Sequence, residues 1–178
     1  ALDLGPVPDP AGSHTVVGKL RYADPAGHRF SVLTSVPLIS ADMGPSDGPL
    51  TATLSPVELS AEWAPATLIV STAATNPLQA RVTLMRPDEI PCAKPAATVA
   101  ISPGLSEKME FILEASDAVP GSQYLIFAVL DYMDGPHHRS LVVPSRVRIV
   151  PPAWQTLSRN WALLAVVPLL LAFMALQF

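Results

Sequence analysis

The sequence predicts an all-β fold, an antiparallel sandwich of short strands, followed by one C-terminal transmembrane helix. Three observations carry this. From His14 to Val150 short β-branched or aromatic segments follow one another, each bounded by Pro, Gly, Asp or Ser. No long amphipathic helical pattern interrupts them. Residues Trp161 to Phe178, WALLAVVPLLLAFMALQF, are free of charge and apolar on every side except at Gln177.

In chain order, LDLGPVPDPAGS is too rich in Pro and Gly to join a core, so residues 1–13 read as an extended arm. TVVGKLRY, RFSVLTSVPL, LTATLSPVEL, ATLIVSTAA, QARVTLMR, ATVAISP, KMEFILEA, QYLIFAVLDYM and RSLVVPSRVRIV are the predicted strands of a domain over residues 14–150. Alternation places Met109, Phe111 and Leu113 on one face and Glu110, Ile112 and Glu114 on the other. Val147 and Ile149 likewise oppose Arg146 and Arg148. Such strands keep one face on a core and one in water, as in antiparallel sheets. Gln123 to Met133 breaks the pattern: LIFAVL is apolar throughout, so both of its faces need cover and it belongs in the middle of a sheet. MDGPHH fits a hairpin turn, and Pro144 removes a ladder donor, which predicts an edge, bend or bulge there.

DAVPGSQYLIFAVLDY, with Asp117, Pro120 and Gly121 ahead of Tyr124, resembles the penultimate-strand region of immunoglobulin-like and fibronectin-like sandwiches. The resemblance implies that Tyr124 bonds back to the backbone at this corner. It implies a fold and not an immune function, because the chain has one cysteine, Cys92, and cannot form an intrachain disulfide.

Pro151 and Pro152 give a stiff exit into a juxtamembrane linker, residues 151–160. The apolar run 161–178 would span roughly 27 Å as a helix, close to a hydrocarbon core. Trp154 and Trp161 suit the aromatic belt of a membrane interface. Ala165, Pro168, Ala172 and Ala175 form a small-residue stripe on the helix, the kind of surface on which membrane helices pack, opposite Leu163, Val166, Leu170 and Phe173. An N-terminus at Ala1 looks like one left by removal of an export signal, which makes the domain extracytoplasmic, periplasmic or luminal, and the helix a stop-transfer anchor. Arg146, Arg148 and Arg159 ahead of the helix favour the opposite orientation, a tail-anchored cytoplasmic domain. A cleaved lipid-anchor signal is the third topology.

Eleven Lys and Arg against fifteen Asp and Glu, with the basic residues scattered, exclude nucleic acid as the expected partner. There is no GxSxG, HExxH, phosphate-cradling Gly-rich loop or CxxCH sequence. The expectation is therefore no enzyme and no cofactor. His137 and His138, near Asp131 and Asp134, are the one cluster resembling a metal site. Adjacent strand residues point to opposite sides, so both could hold one ion only in an irregular turn, and His14, His28 or Cys92 would have to supply a third ligand. A solvated turn is the simpler reading. Cys92 reads as a small buried or part-exposed thiol, and adjacent Asp88 and Glu89 as solvated carboxylates. The chain thus reads as a non-catalytic accessory or scaffolding subunit of a larger membrane complex, respiratory or photosynthetic, whose partners are other membrane-protein subunits and the lipid bilayer. The alternative is a tethered metal-handling or ligand-binding domain.

Overall fold

The computed structural model describes residues 12–25, 27, 29–39, 48–60 and 62–151. The predicted helix 161–178, with Trp161, Ala165, Pro168, Ala172 and Ala175, lies outside the described residues, as do Trp154 and residues 1–11 of the arm. Among the described residues no helix is long and apolar enough to cross a membrane.

Ten strands follow in order: β1 Ser13–Ala23, β2 Arg29–Ile39, β3 Leu50–Leu54, β4 Val57–Leu59, β5 Trp63–Thr72, β6 Leu78–Met85, β7 Ala96–Ile101, β8 Ser106–Glu114, β9 Gln123–Asp134 and β10 His137–Ile149. A five-stranded sheet, β4-β10-β9-β6-β7, faces a three-stranded sheet, β3-β5-β8, and β1 and β2 pair with each other alone. The described part is all-β, an immunoglobulin-like sandwich to which a long hairpin has been added.

LTATLSPVEL, which reads as one strand, is two. Pro56 cannot donate to a ladder, so the pairing stops and restarts on the other sheet. Leu50–Leu54 runs antiparallel to β5, while Val57–Leu59 runs parallel to β10, with Val57 opposite Val147. Leu54, Val57 and Leu59 stay buried through the crossing, so one short segment ties the two layers together.

The core between the sheets takes alternate residues from each strand. Leu68 and Val70 of β5, Val82 and Leu84 of β6, Phe111 and Leu113 of β8, Ile126, Ala128 and Leu130 of β9 and Val147 of β10 belong to it. Each fully buried Leu, Ile or Val adds about 1.5–3 kcal/mol relative to exposure. Tyr124 opens β9, and its Oη accepts a hydrogen bond from the Val119 amide at 3.0 Å, so the corner contact implied by the resemblance is present.

β9 lies between β10 and β6, and it is covered twice. Tyr124, Ile126, Ala128, Leu130 and Tyr132 face the core. Phe127 and Val129 point to the opposite face and are buried all the same. Their cover is the β1–β2 hairpin, since β1 packs on β10 and β2 on β9, and Ser31 and Leu33 of β2 are buried with them. At Pro144 the edge of β10 away from β9 has no ladder partner among the described residues, because β4 reaches only residues 147–149. The missing donor therefore costs nothing there.

Candidate functional site

The seam between the hairpin and the sandwich gathers most of the polar chemistry among the described residues. Alternation in β1 turns Lys19 and Arg21 to the same side, toward the β6–β7 loop. Lys19 Nζ lies 2.7 Å from Asp88 Oδ1 and Arg21 Nε 2.5 Å from Asp88 Oδ2. The hydrogen bond from Arg21, then that from Lys19, holds the Asp88 carboxyl at about 2, below its ordinary range, against the opposing effect of burial. The hydroxyl of Ser31 donates to Glu89 Oε2 at 2.5 Å and accepts from the Asp88 amide at 2.9 Å. This loop is pre-shaped: Arg86 donates to the Ile90 carbonyl at 3.1 Å, and Pro87 and Ile90 are fully buried.

Asp88 and Glu89 are thus not the solvated pair that their adjacency suggests. Asp88 is engaged by two cations and Glu89 is buried beneath β2. Nothing in RPDEIPCAKPA shows this, because the partners stand 57 to 69 residues earlier in the chain. Beside this latch a cleft of about 930 Å³ opens between the hairpin and the loops, lined by Arg21, Tyr22, Arg29, Phe30, Glu89 and Asp117 among others.

At the other end of the hairpin the predicted arm residues 12 and 13 join the sheet. Gly12 bridges His138, and a Cβ at Gly12 would lie 2.7 Å from the His138 carbonyl oxygen, so glycine permits the approach. His138 Nδ1 lies 3.1 Å from the Ser13 carbonyl oxygen, which accepts its hydrogen bond. The Ser140 amide donates to Ser13 Oγ at 3.1 Å, and Ser140 Oγ to Thr15 Oγ1 at 2.9 Å. The His14 ring stacks on His138 with centroids 4.6 Å apart and planes 10° from parallel. His138 Nε2 is 3.9 Å from Asp131 Oδ1.

The two histidines of the predicted metal cluster therefore part company. The β9–β10 turn is regular, with Asp134 opposite His137 and Gly135 at a φ of 60°. His137 is exposed at the turn and His138 is half-buried under β1. His14 is the residue brought to His138, and the fold supplies what the sequence could not. Among the described residues no group of three His, Cys, Asp or Glu is arranged to hold a metal ion. Cys92 is buried and free.

No protein-family profile and no curated protein sequence matches the chain. Solved structures do. The portion of native α-2-macroglobulin from Escherichia coli from domain MG7 to the C-terminus is 19% identical, with TM-score 0.50, over 62% of this chain and 18% of that one. The FixG-related protein from Vibrio parahaemolyticus is 14% identical over 58% of this chain and 98% of its own, with TM-score 0.45. The Escherichia coli chaperone DraB is 14% identical over 58% and 55%, with TM-score 0.38. The chain spans less than a fifth of the macroglobulin portion that it matches. At these identities the likeness is one of fold, an immunoglobulin-like β-sandwich.

Proposed function

We propose that the chain is a non-catalytic accessory or scaffolding subunit of a larger membrane complex, respiratory or photosynthetic, with an exported sandwich domain held at the bilayer by the helix 161–178. The observation that carries the reading is the position of the apolar run relative to the finished fold. The Val150 amide donates to the Leu59 carbonyl at 3.0 Å and closes the last ladder, and the charge-free run begins eleven residues later. The described ladders all end before the run starts, so an all-round apolar helix there is left to lipid and to other membrane helices. The polar groups near the hairpin act in the same sense, since Asp88, Glu89, His138 and Ser140 are engaged in holding the hairpin.

Copurification of the full chain in mild detergent tests this. Replacing Ala165 and Ala172 by Leu keeps the run hydrophobic but fills the small-residue stripe with bulky side chains, so insertion survives while partner subunits are lost. Equal recovery of partners with the double variant assigns the contact to the sandwich. A chain that copurifies with nothing overturns the accessory-subunit reading.

A second reading, a tethered metal-handling or ligand-binding domain, draws on the placement of His14 against His138 beside Asp131. Stacked imidazoles direct their ring nitrogens side by side rather than at one point, which disfavours a shared ion. Zinc and copper titration of the full chain followed by calorimetry decides it, a stoichiometric site lost in His138→Ala being the outcome that promotes this reading.

A further inference from the structure

We infer that the end of the sandwich from which the chain leaves is a membrane-seating surface: the tip half of the β1–β2 hairpin and Trp63 rest in the headgroup region of a zwitterionic bilayer. The inference rests on the anchor reading above and adds a second, peripheral contact to it.

Several elements fix which end this is. The Gly121 amide donates to the Ile149 carbonyl, the Ile149 amide to Ser122, and the Ala115 amide to Glu62. The Glu114 amide donates to the Pro91 carbonyl, which brings in the β6–β7 loop. Lys19 and Arg21 bind Asp88 of that loop, so the hairpin tip lies at the same end. The end of β10, the start of β5 and the hairpin tip therefore converge where Pro151 leads out. Fully extended, ten linker residues reach at most about 35 Å, so this is the end that the tether holds within that distance of the bilayer.

The same end carries the exposed aromatic side chains. Among the described Phe, Tyr and Trp side chains the exposed ones are Tyr22, 50% exposed, and Trp63, 58% exposed. Phe30 stacks on Tyr22 across the hairpin with centroids 5.4 Å apart, and Leu20 and Val32, the next pair on that face, are exposed as well. Aromatic rings with a polar tip, backed by aliphatic neighbours, are what partitions to a membrane interface.

Two features separate a bilayer from a protein partner. The hairpin lies outside the five-stranded sheet, whereas Trp63 lies on the outer face of the three-stranded one, since the inward positions of β5 are Ala66, Leu68 and Val70. One flat surface beneath the end touches both sides at once. The charges there are mixed and partly paired internally, with Lys19 and Arg21 on Asp88 and Arg148 3.7 Å from Glu58, beside Arg29, Glu62, Glu114 and Asp117. Recognition is then by apolar and aromatic contact, not by anionic headgroups.

The full chain, reconstituted in phosphatidylcholine vesicles, carries a single environment-sensitive fluorophore on cysteine in Tyr22→Cys, Trp63→Cys or Leu105→Cys. Leu105 is exposed at the opposite end, and Cys92 is buried, so the unaltered chain gives the labelling background. The expected result is blue-shifted emission at 22 and 63, quenched several-fold more by spin-labelled lipid than at 105, and unchanged when anionic lipid is added. Emission at 22 and 63 as water-like as at 105, in vesicles from which alkaline carbonate does not extract the chain, overturns the seating surface and leaves the anchor standing. Blue-shifted emission that spin-labelled lipid fails to quench assigns the face to a protein contact and overturns the inference as well. Extraction of the chain by carbonate removes the anchor reading and this inference together.

Discussion

Ser31 and Glu89, 58 residues apart, are joined by a hydrogen bond of 2.5 Å in which a buried hydroxyl donates to a buried carboxylate. A donor lost to a buried charged group costs about 1.5–3 kcal/mol. Ser31→Ala should therefore lower stability by that amount in urea unfolding and speed amide exchange in β2 more than in β5. Exchange rising equally in both strands would show that the hairpin and the sandwich open as one unit.

Asp88 adds an acid-sensitive latch beside it. Its folded value, about 2, lies below the ordinary 3.8, so its contribution is fully present above about pH 4 and is lost as the pH falls through 2. Hairpin amide protection should drop over that window, and the drop should be absent in Asp88→Asn. Since the carboxylate is 46% exposed, salt should weaken the latch at neutral pH too.

The adjacent histidines should behave differently. His137→Ala removes an exposed turn side chain and should shift stability by less than about 0.5 kcal/mol. His138→Ala removes the hydrogen bond to Ser13 and the stack on His14, and should cost about 1 kcal/mol. Thermal unfolding of the two single variants checks this, and equal effects would return His138 to the role of a solvated turn residue.

Gly48 faces the ring hydroxyl of Tyr132, where an added Cβ would collide with Oη. Tyr132 is buried, and its hydroxyl is held to the backbone of Leu50, while burial raises its pKa. Gly48→Ala should destabilise by about 1–3 kcal/mol, the range for overpacking. Combining it with Tyr132→Phe, which removes the colliding oxygen, should restore part of that loss in chemical denaturation.

The strands and their faces were legible because period-2 alternation is local. Met109, Phe111 and Leu113 announce their side, and LIFAVL announces double cover. What covers it was not legible, since TVVGKLRY and RFSVLTSVPL have the same alternation as any sandwich strand and nothing in them specifies a separate hairpin. The sheet switch at Pro56 was hidden for a related reason: one proline both interrupts a strand and moves it between layers, and only the partner of Val57 distinguishes the two. The seam was least legible. Its pairs, Lys19 with Asp88, Ser31 with Glu89 and His14 with His138, each span more than fifty residues, and no spacing rule connects them.

The parallel pairing of β4 with β10 sets an order of events in folding. Leu59 meets Ile149 across 90 positions, and the hairpin that ends near residue 39 docks on strands that begin at 123. The first quarter of the chain can zip into a hairpin at once, since those contacts are local, but it has no surface to rest on until β9 and β10 exist. During that interval Leu33, buried in the finished fold, stands open to solvent beside Val32 and Val36, which stay exposed, so the young hairpin has a sticky face whose cover arrives only with β9 and β10.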